Sequence, residues 1–308
     1  MSNNTKLLAS MGKVIARMKG SDKTREARGR TAHRFAKIMR IHGFTHLRDV
    51  RQIRGKHIRL FAAHLADAGL AVRTRQNEMG RVRTMIRAAR QEQLADSPEL
   101  ENRALGIGGG SRAGRKKAMT PREHAEFCRR ARRLRRSGMA ALLRLERCLG
   151  LRGEEAVCAR SDILRRWLVE LESEGKVSVT AGTKGGRRRQ VRIHDEHREH
   201  VKRRLNAALA LAVRQGGYLV APAAEGRPVL SLEQACNIYR SYCVRARIQA
   251  HSARYAFAQN QYCGYRRHHH SHRDALACVS RDLGHGSGRG RYVRSVYLRG
   301  LDPDRIWD

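Results

Sequence analysis

The stretch "LGHGSGRGRYVRSVYLRG", residues 283–300, sets one histidine, His285, and two tyrosines, Tyr292 and Tyr297, among four arginines. Two readings compete. Either this is a basic loop with incidental aromatics, or one tyrosine is a nucleophile that the histidine and distant arginines hold against a phosphate. The second reading needs partners elsewhere in the chain, so the rest of the sequence decides.

That rest is strongly basic. Lys and Arg number 65 against 28 Asp and Glu, a net charge of +37 over 308 residues. A compact chain with so much self-repulsion points to a polyanionic partner, nucleic acid ahead of an anionic membrane surface. Arginine far outnumbers lysine, which suits bidentate phosphate contacts. Hydrophobic residues make up 41%, enough for real cores, and the length allows two domains. No run approaches the roughly 18–20 apolar residues of a membrane helix. The start, "MSNNTKLLASMGKVIARMKG", holds no apolar signal core, so secretion is not expected. The seven cysteines are scattered with no CxxC pair and read as reduced thiols of a cytoplasmic protein.

The expected fold is mainly α with a small β-hairpin (α+β), in two domains. Residues 1–105 read as a helical bundle with a basic face. In "HIRLFAAHLADAG" Ile58, Phe61 and Leu65 form one apolar stripe, and Gly69 suits the helix end. In "RTRQNEMGRVRTMIRAAR" Met79, Val82, Met85 and Ile86 share a side. Residues 106–117, "GIGGGSRAGRKK", read as a flexible basic linker. Residues 118–308 form the second domain. It opens on a helix that Thr120 caps, with Pro121 first and Glu123 third. "GMAALLRLERCLGL" is a buried helix, and "KVSVTAGTKGGRRRQVRI" a β-hairpin in which Val177 and Val179, then Val191 and Ile193, alternate.

Partners for the tyrosines lie in this second domain. Arg152 stands where an apolar run ends, three residues before Glu155. Lys184 occupies the tip of the hairpin. His251 and Arg254 fall on one helix face in "AHSARYAFA". Each is weak evidence alone: a helix-end arginine, a solvated turn lysine, a surface histidine. Their order is more specific. Arg, hairpin Lys, His-x-x-Arg, Leu-Gly-His, then Tyr near the C-terminus resembles the tyrosine recombinase (phage integrase) family. The resemblance covers residues 119–308 in motif order, and residues 1–100 are similar in character to that family's core-binding domain.

The resemblance implies six catalytic residues: Arg152, Lys184, His251, Arg254, His285 and Tyr297. Glu155 fits the acidic residue that follows the family's first arginine. Tyr255 departs from the pattern, standing where many members have a second histidine. Neither tyrosine stands at the family's usual distance from His285. Tyr297 is preferred because apolar neighbours suit a short helix, with "GSGRGR" as an enlarged loop; Tyr292 is the alternative. The implied activity is site-specific cleavage and rejoining of double-stranded DNA through a 3′-phosphotyrosine, for integration of a phage or mobile element in a bacterial nucleoid. A homotetramer on DNA and an accessory bending or directionality factor go with it. The rivals are type IB topoisomerase-like relaxation and non-enzymatic nucleic-acid binding.

No cofactor or metal is expected, because arginines can carry the charge that builds on a phosphoryl transition state. The histidine clusters "HDEHREH" (His194, His197, His200) and "RRHHHSH" (His268, His269, His270, His272) pair with no cysteine at zinc-finger spacing, and the second reads as a basic DNA-facing loop. Finally, the resemblance implies that the C-terminal segment docks on a neighbouring subunit, with Leu301, Ile306 and Trp307 in "LRGLDPDRIWD" as its apolar anchors.

Overall fold

The computed structural model describes residues 3–110, 117–220 and 229–301. The chain divides into two compact units, 1–111 and 112–308. Most of the tail reading, including Ile306 and Trp307, lies outside the described residues, as do residues 111–116 of the glycine-rich stretch.

The first unit is helical: α1 (Asn3–Arg17), α2 (Asp22–Ile41), α3 (Gly55–Asp67), α4 (Val72–Ala88) and the short α5 (Glu92–Ala95). Its core gathers one apolar stripe from each long helix, among them Met11, Phe35, Phe61 and Met85, all fully buried. Gly69 takes φ +66° just past the end of α3, where a side chain would be strained. Ile107, at the start of the glycine-rich stretch, is buried in this core, and Gln76 donates to its carbonyl at 2.8 Å.

The second unit is packed around its most fully buried helix. Its elements are α6 (Pro121–Arg133), α7 (Ser137–Leu149), α8 (Gly153–Val157), α9 (Ser161–Glu174), β1 (Lys176–Val179), β2 (Arg189–Arg192), α10 (Asp195–Arg214), α11 (Leu232–Arg245), α12 (His251–Arg267) and α13 (His272–Asp282). Thr120 and Glu123 close a reciprocal cap at the start of α6. α7 has almost every residue buried, and α6, α10 and α12 pack on it. The two strands pair antiparallel with Val177 opposite Val191 and Val179 opposite Arg189. Those four residues share the buried face, so the alternation that buries three valines also buries an arginine. Trp167 of α9 donates to the Ser178 carbonyl at 2.8 Å and fixes the hairpin on its helix. After α13 a helical turn, Gly290–Tyr292, runs into a π turn, Val293–Tyr297. No helix among the described residues is long and apolar enough to cross a membrane, and the cysteines form no disulfide.

Candidate active site

The site is built from chain breaks. α7 ends because Gly150 takes the left-handed conformation, φ +59°. A Cβ there would also collide with the ring of Phe257 on α12. The chain reverses through buried Leu151 and delivers Arg152 as the cap of α8. Three residues on, Glu155 turns back. Its carboxylate accepts from the Arg152 backbone N–H at 2.7 Å and from Arg152 Nη1 at 2.6 Å.

The same carboxylate accepts a two-pronged pair from Arg189, Nη1 to Oε1 at 2.6 Å and Nη2 to Oε2 at 2.8 Å. Arg254 Nη1 lies 4.0 Å from Oε2. Arg189, Arg254 and Glu155 are all buried, while Arg152 keeps 23% of its side chain exposed. Burial pushes the Glu155 carboxyl up, but the hydrogen bonds and charge of Arg189, with Arg254, outweigh it and hold it below the usual range. Burial pulls Arg254 down to about 10, still charged at neutral pH. Three guanidinium groups thus share one carboxylate, a net excess of two positive charges in a mostly buried cluster.

Backbone carbonyls hold these cations in place. Gly150 O accepts from Arg254 Nη1 and, at 3.3 Å, from Arg189 Nη2. Leu283 O accepts from Arg254 Nη2 and, at 3.4 Å, from Arg152 Nη2. Asp282 O takes Arg189 Nε at 2.8 Å. The acceptors therefore come from the end of α7 and the end of α13. Arg254 Nε is buried with no hydrogen-bond partner.

At the end of α13, Gly284 (φ +68°) turns the chain and His285 N–H donates back to Ser280 O at 2.8 Å. His285 Nε2 then stands 3.3 Å from the Tyr297 hydroxyl oxygen. Burial, reinforced by Arg254 and Arg152, pushes His285 down to about 4, so the ring is neutral at pH 7 and can accept a proton. Tyr297 is buried and its carbonyl accepts from Gln259 at 3.2 Å. Its ring packs on Tyr255, centroids 4.6 Å apart, with His251 at 6.3 Å. Burial raises Tyr255 to about 12, so it stays neutral beside the other phenol. Tyr292 is 38% exposed, and its ring meets His285 edge-on at 5.3 Å.

Of the six residues expected from the sequence, Arg152, Arg254, His285 and Tyr297 converge, and His251 borders them through Tyr297. Lys184 does not. It stands exposed in the turn Lys184–Gly186, and among the described residues it makes no hydrogen bond or ion pair with the cluster. Arg189 was missed. It is third in a run of arginines whose other two members, Arg187 and Arg188, are exposed. Its one signal was the two-residue period it shares with Val191.

The chain matches the phage integrase N-terminal family over residues 4–95 and the Integrase family over residues 106–260. No curated protein matches it. Among solved structures the fold is similar to a phage lambda integrase tetramer bound to a Holliday junction. The TM-score is 0.58 at 15% identity, with 100% of this chain and 80% of that chain covered. Similar too is the Tn1549 transposon integrase with circular-intermediate DNA: TM-score 0.59, 11% identity, 96% and 95% covered. A lambda integrase fragment bound to DNA gives 0.58 and 14%, with 100% of both chains covered. The Integrase match takes in just over half of the chain and spans Arg152, Glu155, Arg189 and Arg254, so the chain belongs to the phage integrase family of tyrosine recombinases, site-specific enzymes that break and rejoin DNA.

Proposed function

We propose that the chain integrates a phage or mobile element, cutting each strand through a 3′-phosphotyrosine on Tyr297. The observation that carries this is the 3.3 Å approach of His285 Nε2 to the Tyr297 hydroxyl, beside three arginines that share one carboxylate. The Tyr297 oxygen attacks phosphorus while its proton passes to neutral His285. Charge building on the nonbridging oxygens is met by Arg152 and by Arg254, whose unpartnered Nε–H is a donor in reserve. The bond from phosphorus to the 5′ oxygen breaks, and Lys184 protonates that oxygen once the hairpin turn swings in. His251 orients the phosphate. The covalent bond keeps the phosphodiester energy, so attack by the 5′-hydroxyl of a second strand reverses each step and needs no nucleotide.

In this reading residues 1–105 form the core-binding domain, 118–308 the catalytic domain and 106–117 the link from one to the other, its start anchored in the first core by Ile107, with both domains gripping double-stranded DNA. The lambda relatives include a tetramer on a Holliday junction and a dimer on a core site, which supports assembly of this chain on DNA as a homotetramer. An accessory bending factor and a place in the bacterial nucleoid complete it. The test is a nicked suicide substrate. Tyr297→Phe removes one oxygen and abolishes the covalent complex with DNA affinity kept, whereas Tyr292→Phe retains the complex. Peptide mapping of the trapped adduct to Tyr292 would reverse the choice of nucleophile, and no adduct from the unaltered protein would remove the mechanism.

A further inference from the structure

The two histidine-rich stretches, which the proposed chemistry leaves unused, meet in the fold. His194 is the residue before α10 and Glu196 lies in that helix's first turn; His268 follows the last residue of α12. The end of α12 lands beside the start of α10, so one donor atom from each of His194, Glu196 and His268 comes within 4.8 Å of the others. Glu196 Oε2 and His268 Nε2 are 3.4 Å apart. That is long for a hydrogen bond to a carboxylate. It is the separation of two ligands on one tetrahedral ion with bonds near 2.0–2.1 Å, roughly 3.4 Å.

Three further observations favour a metal over a plain ion pair. His194 is buried, and its Nε2 has no hydrogen-bond partner, a state that costs free energy until something bonds the ring. Room for that ring is kept by Gly264 of α12, where a Cβ would come within 2.8 Å of Nε2. Arg267 takes only the other oxygen of Glu196, Oε1 at 3.3 Å, and leaves Oε2 available. Against it stands the charge of Arg192, Arg198 and Arg267 close by. Glu196 and Asp195 offset part of that charge, and Glu196 and His268 are exposed, so an ion has a way in. Two imidazoles and one carboxylate suit zinc, where magnesium and calcium ask for more oxygens.

We propose that His194, Glu196 and His268 form a zinc site, with water as the fourth ligand, that clamps the end of α12 to the start of α10. Its role is mechanical. α12 has 17 residues, so the clamp holds the helix about 25 Å from His251 at its other end. The site stands or falls independently of the assignment of Tyr297.

The experiment uses full-length protein stripped with chelator, titrated with Zn2+ and in parallel with Mg2+, and followed by calorimetry and thermal melting. One Zn2+ per chain binds and raises Tm, and Mg2+ does neither. His268→Ala and Glu196→Gln, both at exposed positions, each weaken zinc at least about tenfold while circular dichroism stays unchanged. Co2+ in place of zinc gives a d–d spectrum with no thiolate charge-transfer band. Absence of saturable zinc binding would overturn the proposal. So would a thiolate band, which would move the ion to the cysteines, or equal affinity in His268→Ala, which would move it to His269, His270 or His272.

Discussion

Glu155 is the most informative single residue to change. Its carboxylate accepts four hydrogen bonds, two from Arg152 and two from Arg189, and sits 4.0 Å from Arg254. Two unit charges 4 Å apart at an effective dielectric near 20 attract by about 4 kcal/mol. Removing one partner of a buried pair costs about 3–5 kcal/mol, because the other charge is stranded. Glu155→Gln keeps the shape and one acceptor oxygen but turns its amide N–H groups toward arginine donors. The second unit should then lose about 3–5 kcal/mol, a large part of the roughly 5–15 kcal/mol a domain holds. Urea unfolding followed through Trp167, buried in that unit's core, measures it. Strand cleavage should fall too, since Arg152 loses its anchor. Combining the change with Arg189→Met should be less than additive by at least about 1 kcal/mol, because one stranded cation goes with its partner. A Glu155→Gln midpoint within about 0.5 kcal/mol of the unaltered protein, with an additive double mutant, would refute the idea that this carboxylate organises the cluster.

Four further outcomes are expected. Gly150→Ala meets both a strained φ of +59° and the Phe257 ring, so it should cost several kcal/mol by urea unfolding and abolish cleavage, whereas Gly185→Ala on the open hairpin turn should cost about 1–2. Tyr255→Phe keeps the ring against Tyr297 and should keep the cleavage rate, while Tyr255→Leu should lower it about tenfold or more in single-turnover assays with little change in DNA affinity. His57 is held down to about 4 by burial, with Lys56 and His46 adding to it, against an ordinary 6.5. The unfolded chain therefore takes up that proton first as pH falls, so the first unit's stability is full above pH 6.5 and drains toward pH 4. His57→Gln should flatten the dependence of its urea midpoint on pH. DNA affinity should fall linearly and steeply with the logarithm of salt concentration, and an affinity flat between low and moderate salt would remove DNA as the partner.

Local patterns were the legible part. The Thr120–Glu123 cap, the stripe through Ile58, Phe61 and Leu65, and the alternation around Val177 and Val191 each need only near neighbours in sequence, and each appears as expected. Arg152, Arg254, His285 and Tyr297 were legible as an ordered set, but not their geometry, since Arg254 meets its acceptors 104 and 29 residues away. Arg189 was hidden because charge argues for the surface, and only pairing with Val179 shows that its position faces inward. Ile107 was hidden by its glycine neighbours, and the meeting of His194 with His268 by the 73 residues between them, which say nothing of where α12 ends.

The acceptors that fix the arginines have a consequence for how such a chain can drift. Gly150, Asp282 and Leu283 hold Arg152, Arg189 and Arg254 through main-chain oxygens. Every codon for an amino acid supplies a carbonyl, so no point substitution deletes these acceptors; only a shift of the backbone can. Selection on the scaffold then acts on where α7 and α13 stop rather than on which side chains line the stops. Leu283 can be exchanged for another apolar residue, or the loop after His285 lengthened, while the cations keep their mooring. Sequence can wander far in such a design before the pocket notices, in keeping with a fold shared with lambda integrase at 15% identity.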